Sequence, residues 1–154
     1  MSSKFELFTN NMVVAVGIAN LLNKNSSLPL KYTGNNILLD GAKYFVEIAS
    51  QGVIGCIALI MENANMSKTF HLCVHPDFRR KGIARKLKIK AIENCQTPYI
   101  FCTIREDNIA SMRLSLSLGY ISVKKLCNYD HDVWVLGKRV EMRESRRRSE
   151  ICRL

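Results

Sequence analysis

Leu72-Cys-Val-His-Pro-Asp-Phe-Arg-Arg-Lys-Gly-Ile-Ala-Arg-Lys-Leu87 decides how the rest of this chain is read. A β-rich apolar run ends at Pro76. A basic loop with a single glycine, Gly82, follows, and an amphipathic helix opens directly after it. That order builds an anion cradle from three sources: the unpaired backbone N–H groups of a helix N-terminus, the positive end of the helix dipole, and cationic side chains at the rim. Gly82 permits any φ the turn needs and lets a ligand approach the backbone closely. Arg79, Arg80, Lys81 and Arg85 supply the charge a diphosphate requires. The plainer alternative is a basic turn ahead of a surface helix, and it leaves the preceding Leu72-x-Val74-x-Pro76 unexplained. A Walker-type phosphate loop is excluded, because the chain has no G-x-x-x-x-G-K-[S/T].

Working outward, Ile83, Leu87 and Ala91 recur at helical spacing, with Ala84 and Ile92 alongside, so 82–94 reads as a helix packed on a sheet. Pro98 opens a strand over 99–104. Asp107 can cap a helix over 108–118, which Gly119 ends, and 121–127 and 133–140 form a last strand pair. Upstream, 43–49 and 53–61 flank Ser50-Gln-Gly52 as a hairpin, 62–67 turns, and 68–74 is the third strand of a meander. Asn10 or Asn11 caps a helix over 12–22. Residues 4–8 make a short first strand. The segment 28–36, with Pro29 and Gly34, reads as loop, with or without a short helical turn. The pattern is α+β, with residues 1–140 as one domain and 141–154 as a basic C-terminal tail or helix.

The chain has 154 residues, enough for one domain with a real core. Its net charge is +10, which suits phosphorylated or otherwise acidic partners, RNA and acidic protein surfaces among them, without choosing between them. Six cysteines at 56, 73, 95, 102, 127 and 152 lack metal-site spacing, so a reducing compartment and no metal site are expected. Lys4 is the only early charge that could begin a signal peptide, and Met12–Leu22 is too short to span a bilayer. A cytoplasmic protein without membrane attachment is the expectation.

Arg79-Arg-Lys-Gly82-Ile-Ala84 resembles the Arg/Gln-x-x-Gly-x-Gly/Ala signature of the Gcn5-related N-acetyltransferases (GNATs), and Leu72-x-Val74-x-Pro76 resembles the strand before it. Downstream, Asn108-Ile-Ala-Ser-Met-Arg-Leu-Ser-Leu-Ser-Leu-Gly-Tyr120 is similar to the family's next helix and its closing Leu-Gly-Phe/Tyr. The resemblance implies a GNAT fold: a mixed sheet of about six to seven strands, splayed at the cofactor site and flanked by helices, here with the second N-terminal helix shortened or missing. It implies acetyl-CoA as co-substrate and direct transfer of acetyl to an acceptor amine. The diphosphate would meet Arg79, Arg80, Lys81, Gly82, Ile83, Ala84 and Arg85. The backbones of Leu72 and Val74 would bind the pantetheine arm, with Asn108 and Ser111 assisting. Residues 28–36, as a loop on a rigid scaffold, are either an acceptor-substrate loop or a mere connector.

The catalytic residues depart from the family pattern. Ser115 stands where a Tyr often protonates the leaving thiolate, and it is either the donor or a plain helix serine. Tyr129 is a reserve donor, and Tyr120 is the closing aromatic. Two positions that supply a base elsewhere hold Lys68 and Thr103. That leaves His71, Glu47 and Glu62 as candidate bases. His71 has the right unperturbed pKa to deprotonate an ammonium near neutrality, although a strand histidine also serves structurally. His75 reads as loop-forming. The acceptor stays open between a protein amine, a small-molecule amine and aminoacyl-tRNA. A second copy of the chain remains an open partner. A non-catalytic GNAT-fold module that binds CoA or a protein is the alternative from another class.

Overall fold

Asn11 starts the first helix, α1 (Met12–Asn25): its Oδ1 accepts from the backbone N–H of Val13 at 3.0 Å and of Val14 at 3.4 Å. This is a computed structural model, and it describes residues 6–8, 11–26 and 28–141. The expected tail at 141–154 therefore lies, apart from Glu141, outside the described residues. The strands are β1 (Glu6–Phe8), β2 (Lys43–Ala49), β3 (Gly52–Met61), β4 (Met66–Val74), β5 (Tyr99–Arg105), β6 (Ile121–Cys127) and β7 (Asp132–Arg139), and the further helices are α2 (Gly34–Leu39), α3 (Ile83–Glu93) and α4 (Ile109–Ser117). The strands hydrogen-bond in the order β1-β2-β3-β4-β5-β7-β6, a mixed sheet with helices in the connections. The chain divides into two compact units, Met1–Ile60 with Thr69–Asn94, and Met61–Lys68 with Cys95–Leu154.

In the first unit, α1 turns Val14, Ala15, Ile18, Ala19, Leu21 and Leu22 inward. They pack with Ile37 of α2 and with Tyr44, Val46, Cys56, Ala58 and Cys73 from the strands. Gly17 lets α1 lie close on β3, since a Cβ there would stand 2.8 Å from Val53 Cγ2. Strand alternation sends Phe45 and Glu47 to the opposite face of β2 from Tyr44 and Val46. Helix α3 covers that face: a Cβ on Gly55, the cross-strand partner of Glu47, would meet Ile83 at 2.9 Å and Leu87 at 3.1 Å. The hairpin expected at Ser50-Gln-Gly52 is present, with Gly52 at φ +107°.

In the second unit, β5 pairs in parallel with the first three residues of β4, Met66–Lys68 against Tyr99–Phe101. On its other side it pairs antiparallel with β7 along its whole length, and β7 pairs with β6. Ile100, Cys102, Ile104, Tyr120 and Leu136 are buried here.

Within 28–36 the short helical turn is the start of α2, where Thr33 and Asn36 form a reciprocal capping box. The second N-terminal helix is thus the shortened one, six residues long. Two local expectations need correction. The cap of α4 is Asn108 and not Asp107, because Asp107 is held by Arg105 at 3.1 and 2.9 Å. Strand β4 starts at Met66, two residues before the expected Lys68, because the turn ahead of it closes on Asn63 Oδ1, which accepts from the N–H groups of Asn65 and Met66.

Candidate active site

The turn and helix start expected at 76–83 are present. A short 3-10 turn, Pro76–Phe78, follows β4, with His75 Nδ1 accepting from the N–H of Asp77 at 3.2 Å. His75 is thus a loop-forming residue. The chain then passes through two left-handed residues, Arg80 at φ +64° and Gly82 at φ +78°. A non-glycine residue in that region costs about 1–2 kcal/mol, so the turn at Arg80 is held against a local preference. Gly82 caps α3 with no side-chain hydrogen bond to the first-turn N–H groups. A Cβ on Gly82 would meet nothing within 4 Å. An uncapped helix N-terminus therefore faces open space across a residue without a side chain, and a diphosphate fits that geometry.

The rim cations do more than wait for an anion. Arg79 Nε donates to the Val74 carbonyl at 3.0 Å, which ties the turn to the end of β4. Lys81 Nζ stands 5.0 Å from the centre of the Phe78 ring. Arg80, Lys81 and Arg85 are exposed, Ala84 is half-buried, and Ile83 is buried against β3.

Strand β4 carries Leu72 and Val74 and, ahead of them, His71 at φ +55°. A left-handed residue inside a strand re-aims its neighbours. Here both Phe70 and His71 turn toward the α1 and α2 side, with ring centroids 4.6 Å apart. His71 Nδ1 lies 2.8 Å from Tyr44 Oη, and Tyr44 Oη donates to Asp40 Oδ2 at 2.6 Å. Tyr32 meets the imidazole edge-on at 4.8 Å. Burial, reinforced by the hydrogen bond to Asp40, drives the Tyr44 phenol far above its ordinary pKa, so it stays protonated. Asn23 grips Tyr32 by two backbone bonds of 2.8 Å each: its Nδ2 donates to the Tyr32 carbonyl, and its Oδ1 accepts from the Tyr32 N–H.

Glu47 points away from this group. It sits on the α3 face, 7% exposed, and its Oε2 has no hydrogen-bond partner. Burial raises its pKa, and the Lys86 charge opposes that rise. His71 and Glu47 therefore stand on opposite faces of the sheet. Glu62 is exposed at the end of β3.

In the second unit, Asn108 caps α4, Ser111 lies in its first turn and Ser115 in its last. Asn108 Oδ1 accepts from the Ser111 N–H at 3.2 Å. Ser115 is fully buried, and its hydroxyl donates to the Ser111 carbonyl at 2.9 Å, one turn back. To protonate a leaving group it must first break that bond. Tyr129 is exposed in the β6–β7 turn, and Tyr120 is buried. Among the described residues no cysteine is in a disulfide.

Sequence reading missed Asp40, Tyr44, Tyr32 and Asn23. Tyr44 looks like an ordinary strand aromatic, and its link to His71 depends on strand placement that no local pattern encodes. The signal available was weak: an acid four residues before a strand tyrosine, and an asparagine at a helix end.

No helix among the described residues is long and apolar enough to cross a membrane. No curated protein matches the chain. Solved structures of the same fold are many. A putative acetyltransferase, yncA, from Salmonella typhimurium, solved with its cofactor acetyl-CoA, superposes with a TM-score of 0.74 at 18% identity, covering 92% of this chain and 96% of that one. The ribosomal-protein-S18-alanine N-acetyltransferase from Escherichia coli gives 0.76 at 14% identity, covering 91% and 96%. Mutant forms of the spermidine/spermine N-acetyltransferase SpeG from Vibrio cholerae give 0.71 at 17%, covering 88% and 93%. The model of the acetyltransferase (GNAT) family matches residues 19–120, a span that begins in α1, takes in the whole cradle and closes on Tyr120, and the chain belongs to that family.

Proposed function

We propose that the protein is an N-acetyltransferase that moves the acetyl group of acetyl-CoA directly to a primary amine. The observation that carries this reading is the uncapped N-terminus of α3 behind Gly82, with a left-handed glycine and open space in front of it. The N–H groups at the start of α3 bind the diphosphate, and Arg79, Arg80, Lys81 and Arg85 neutralise it. The backbones of Leu72 and Val74 bind the arm, and an N–H there polarises the thioester carbonyl. Only a donor can do this, so at Val74 the N–H would serve, while its carbonyl accepts from Arg79.

His71 removes a proton from the acceptor ammonium. The freed amine attacks the thioester carbon, the N–C bond forms, the C–S bond breaks, and the sulfur leaves with the electron pair and takes up the second proton that the acylated nitrogen sheds, so that the products are the amide and free CoA thiol. Holding the two reactants together supplies much of the rate. His71 is preferred to Glu47 because it stands beside Tyr32, in the connection between α1 and α2 read as the acceptor loop, whereas Glu47 lies beneath α3. Asn108, Ser111 and Ser115 enter the proposal on the resemblance alone. So do the single catalytic domain over 1–140, the basic appendage and a cytoplasmic location.

Calorimetry with acetyl-CoA tests the cofactor site. Wild-type protein should bind, and Gly82→Glu should not, because a carboxylate then fills the cradle while nothing in the fold is displaced. A folded wild-type protein that ignores acetyl-CoA sinks the reading. Release of free thiol with a panel of peptide N-termini, polyamines and aminoacyl-tRNA then identifies the acceptor. Binding without transfer to any amine would instead favour a non-catalytic CoA-binding module.

A further inference from the structure

We propose that Asp40 and Tyr44 are positioning residues that hold His71 with its proton on Nδ1, so that Nε2 is the atom that takes the proton from the acceptor amine. The inference rests on the acetyltransferase reading above and names the machinery behind its base.

The argument is a count of hydrogens. A phenol has one. The Asp40 carboxylate has none to give, and it lies 2.6 Å from Tyr44 Oη, so that hydrogen points at Asp40. The remaining 2.8 Å contact between Tyr44 Oη and His71 Nδ1 then needs a hydrogen from the imidazole. Neutral His71 carries it on Nδ1, and its lone pair sits on Nε2. Asp40 is itself fixed, because its Oδ1 accepts from the Ala42 N–H at 2.9 Å. The three side chains come from the turn after α2, from β2 and from β4, so the chain of bonds exists only in the folded first unit.

The same chain serves the charged state. When Nε2 takes a proton, the imidazolium keeps its Nδ1–H bond to Tyr44, and the Asp40 carboxylate stabilises the new charge through the phenol. The left-handed backbone at His71 aims the ring into this arrangement, a strain that persists because Tyr44, Phe70 and Tyr32 surround the ring. Tyr32 belongs to the proposed acceptor loop, and Asn23 holds its backbone. Among the described residues, the titratable groups shown against the imidazole are Tyr44 from β2, with Asp40 from the turn after α2 behind it, and Tyr32 from the segment before α2; Cys56 of β3 donates to the His71 carbonyl at 3.3 Å.

Two measurements test this together. Long-range proton–nitrogen NMR of the full-length protein reads the tautomer of His71, and kcat/KM against pH is measured for wild type, His71→Gln, Tyr44→Phe and Asp40→Asn. Acetyl-CoA affinity serves as the check on folding. The expected result is the Nδ1–H tautomer in wild type. Tyr44→Phe and Asp40→Asn should mix the tautomers and move the acidic limb of kcat/KM to lower pH. His71→Gln should lose about a hundredfold or more in kcat/KM, with the limb abolished. A purely structural role for Tyr44 would leave tautomer and pH limb unmoved. A protein that transfers acetyl yet shows the Nε2–H tautomer, or keeps its rate in His71→Gln, overturns this inference alone. A protein that transfers acetyl to no amine overturns it together with the acetyltransferase reading.

Discussion

Gly82 and Glu47 show how one residue can carry opposite demands. Gly82 sits at φ +78° with no neighbour within 4 Å of a would-be Cβ. Gly82→Ala should therefore cost the fold only the left-handed strain, about 1 kcal/mol in urea denaturation, while weakening acetyl-CoA far more, because the methyl group stands where the ligand must approach. Glu47 is the reverse case, a buried carboxyl whose Oε2 finds no hydrogen-bond partner among the described residues. Burial raises its folded pKa above that of the unfolded chain, so the native state holds more protons there. Wild-type stability should accordingly fall as pH climbs from the ordinary carboxylate range toward neutrality, and Glu47→Gln should remove that slope. Denaturant midpoints of the two proteins at pH 4 and pH 7.5 check this: the gap in favour of Gln should widen at the higher pH.

At the scale of elements, capping decides boundaries. Asn108→Ala should destabilise α4 by about 1 kcal/mol, with Asn108→Asp losing little, since a side-chain oxygen on the Ser111 N–H is what the position supplies. Asn23→Ala removes two backbone bonds from Tyr32 and should raise amide exchange across 28–33 while sparing β2 and β3. The elements also show what a sequence discloses. The cradle is contiguous, residues 72–87, so strand, turn and helix start could be read in order. Helix α2 was legible only as an optional short turn, because Gly34-Asn-Asn is a poor helix opening and its capping box uses Asn36 where the usual signature has Glu or Gln. The Asp40–Tyr44–His71 chain escaped for a different reason: it joins three segments through strand placement, and the left-handed turn at His71 has no glycine to announce it. Ser115 was visible as a departure from the family's Tyr, but its burial and its bond to Ser111 depend on how α4 packs.

Across the whole molecule, an excess of ten positive charges sets the terms on which anions arrive. Association of acetyl-CoA should slow as salt rises from 50 to 200 mM, by about two- to tenfold in stopped-flow binding, because the steering field is screened within about a Debye length. RNA retention, if the charge extends to an RNA acceptor, should fall more steeply over the same range than acetyl-CoA binding does. The sheet ends at β6, whose residues are all exposed, Ile121 and Val123 at 68% and 61%. An open border of that kind invites a neighbour's backbone, but the register slips between Ser122 and Lys124, and two lysines follow at once. Concentrated samples are thereby kept from zippering side to side, and replacing Lys124 with valine should turn a well-behaved solution into one that sediments as ever larger species.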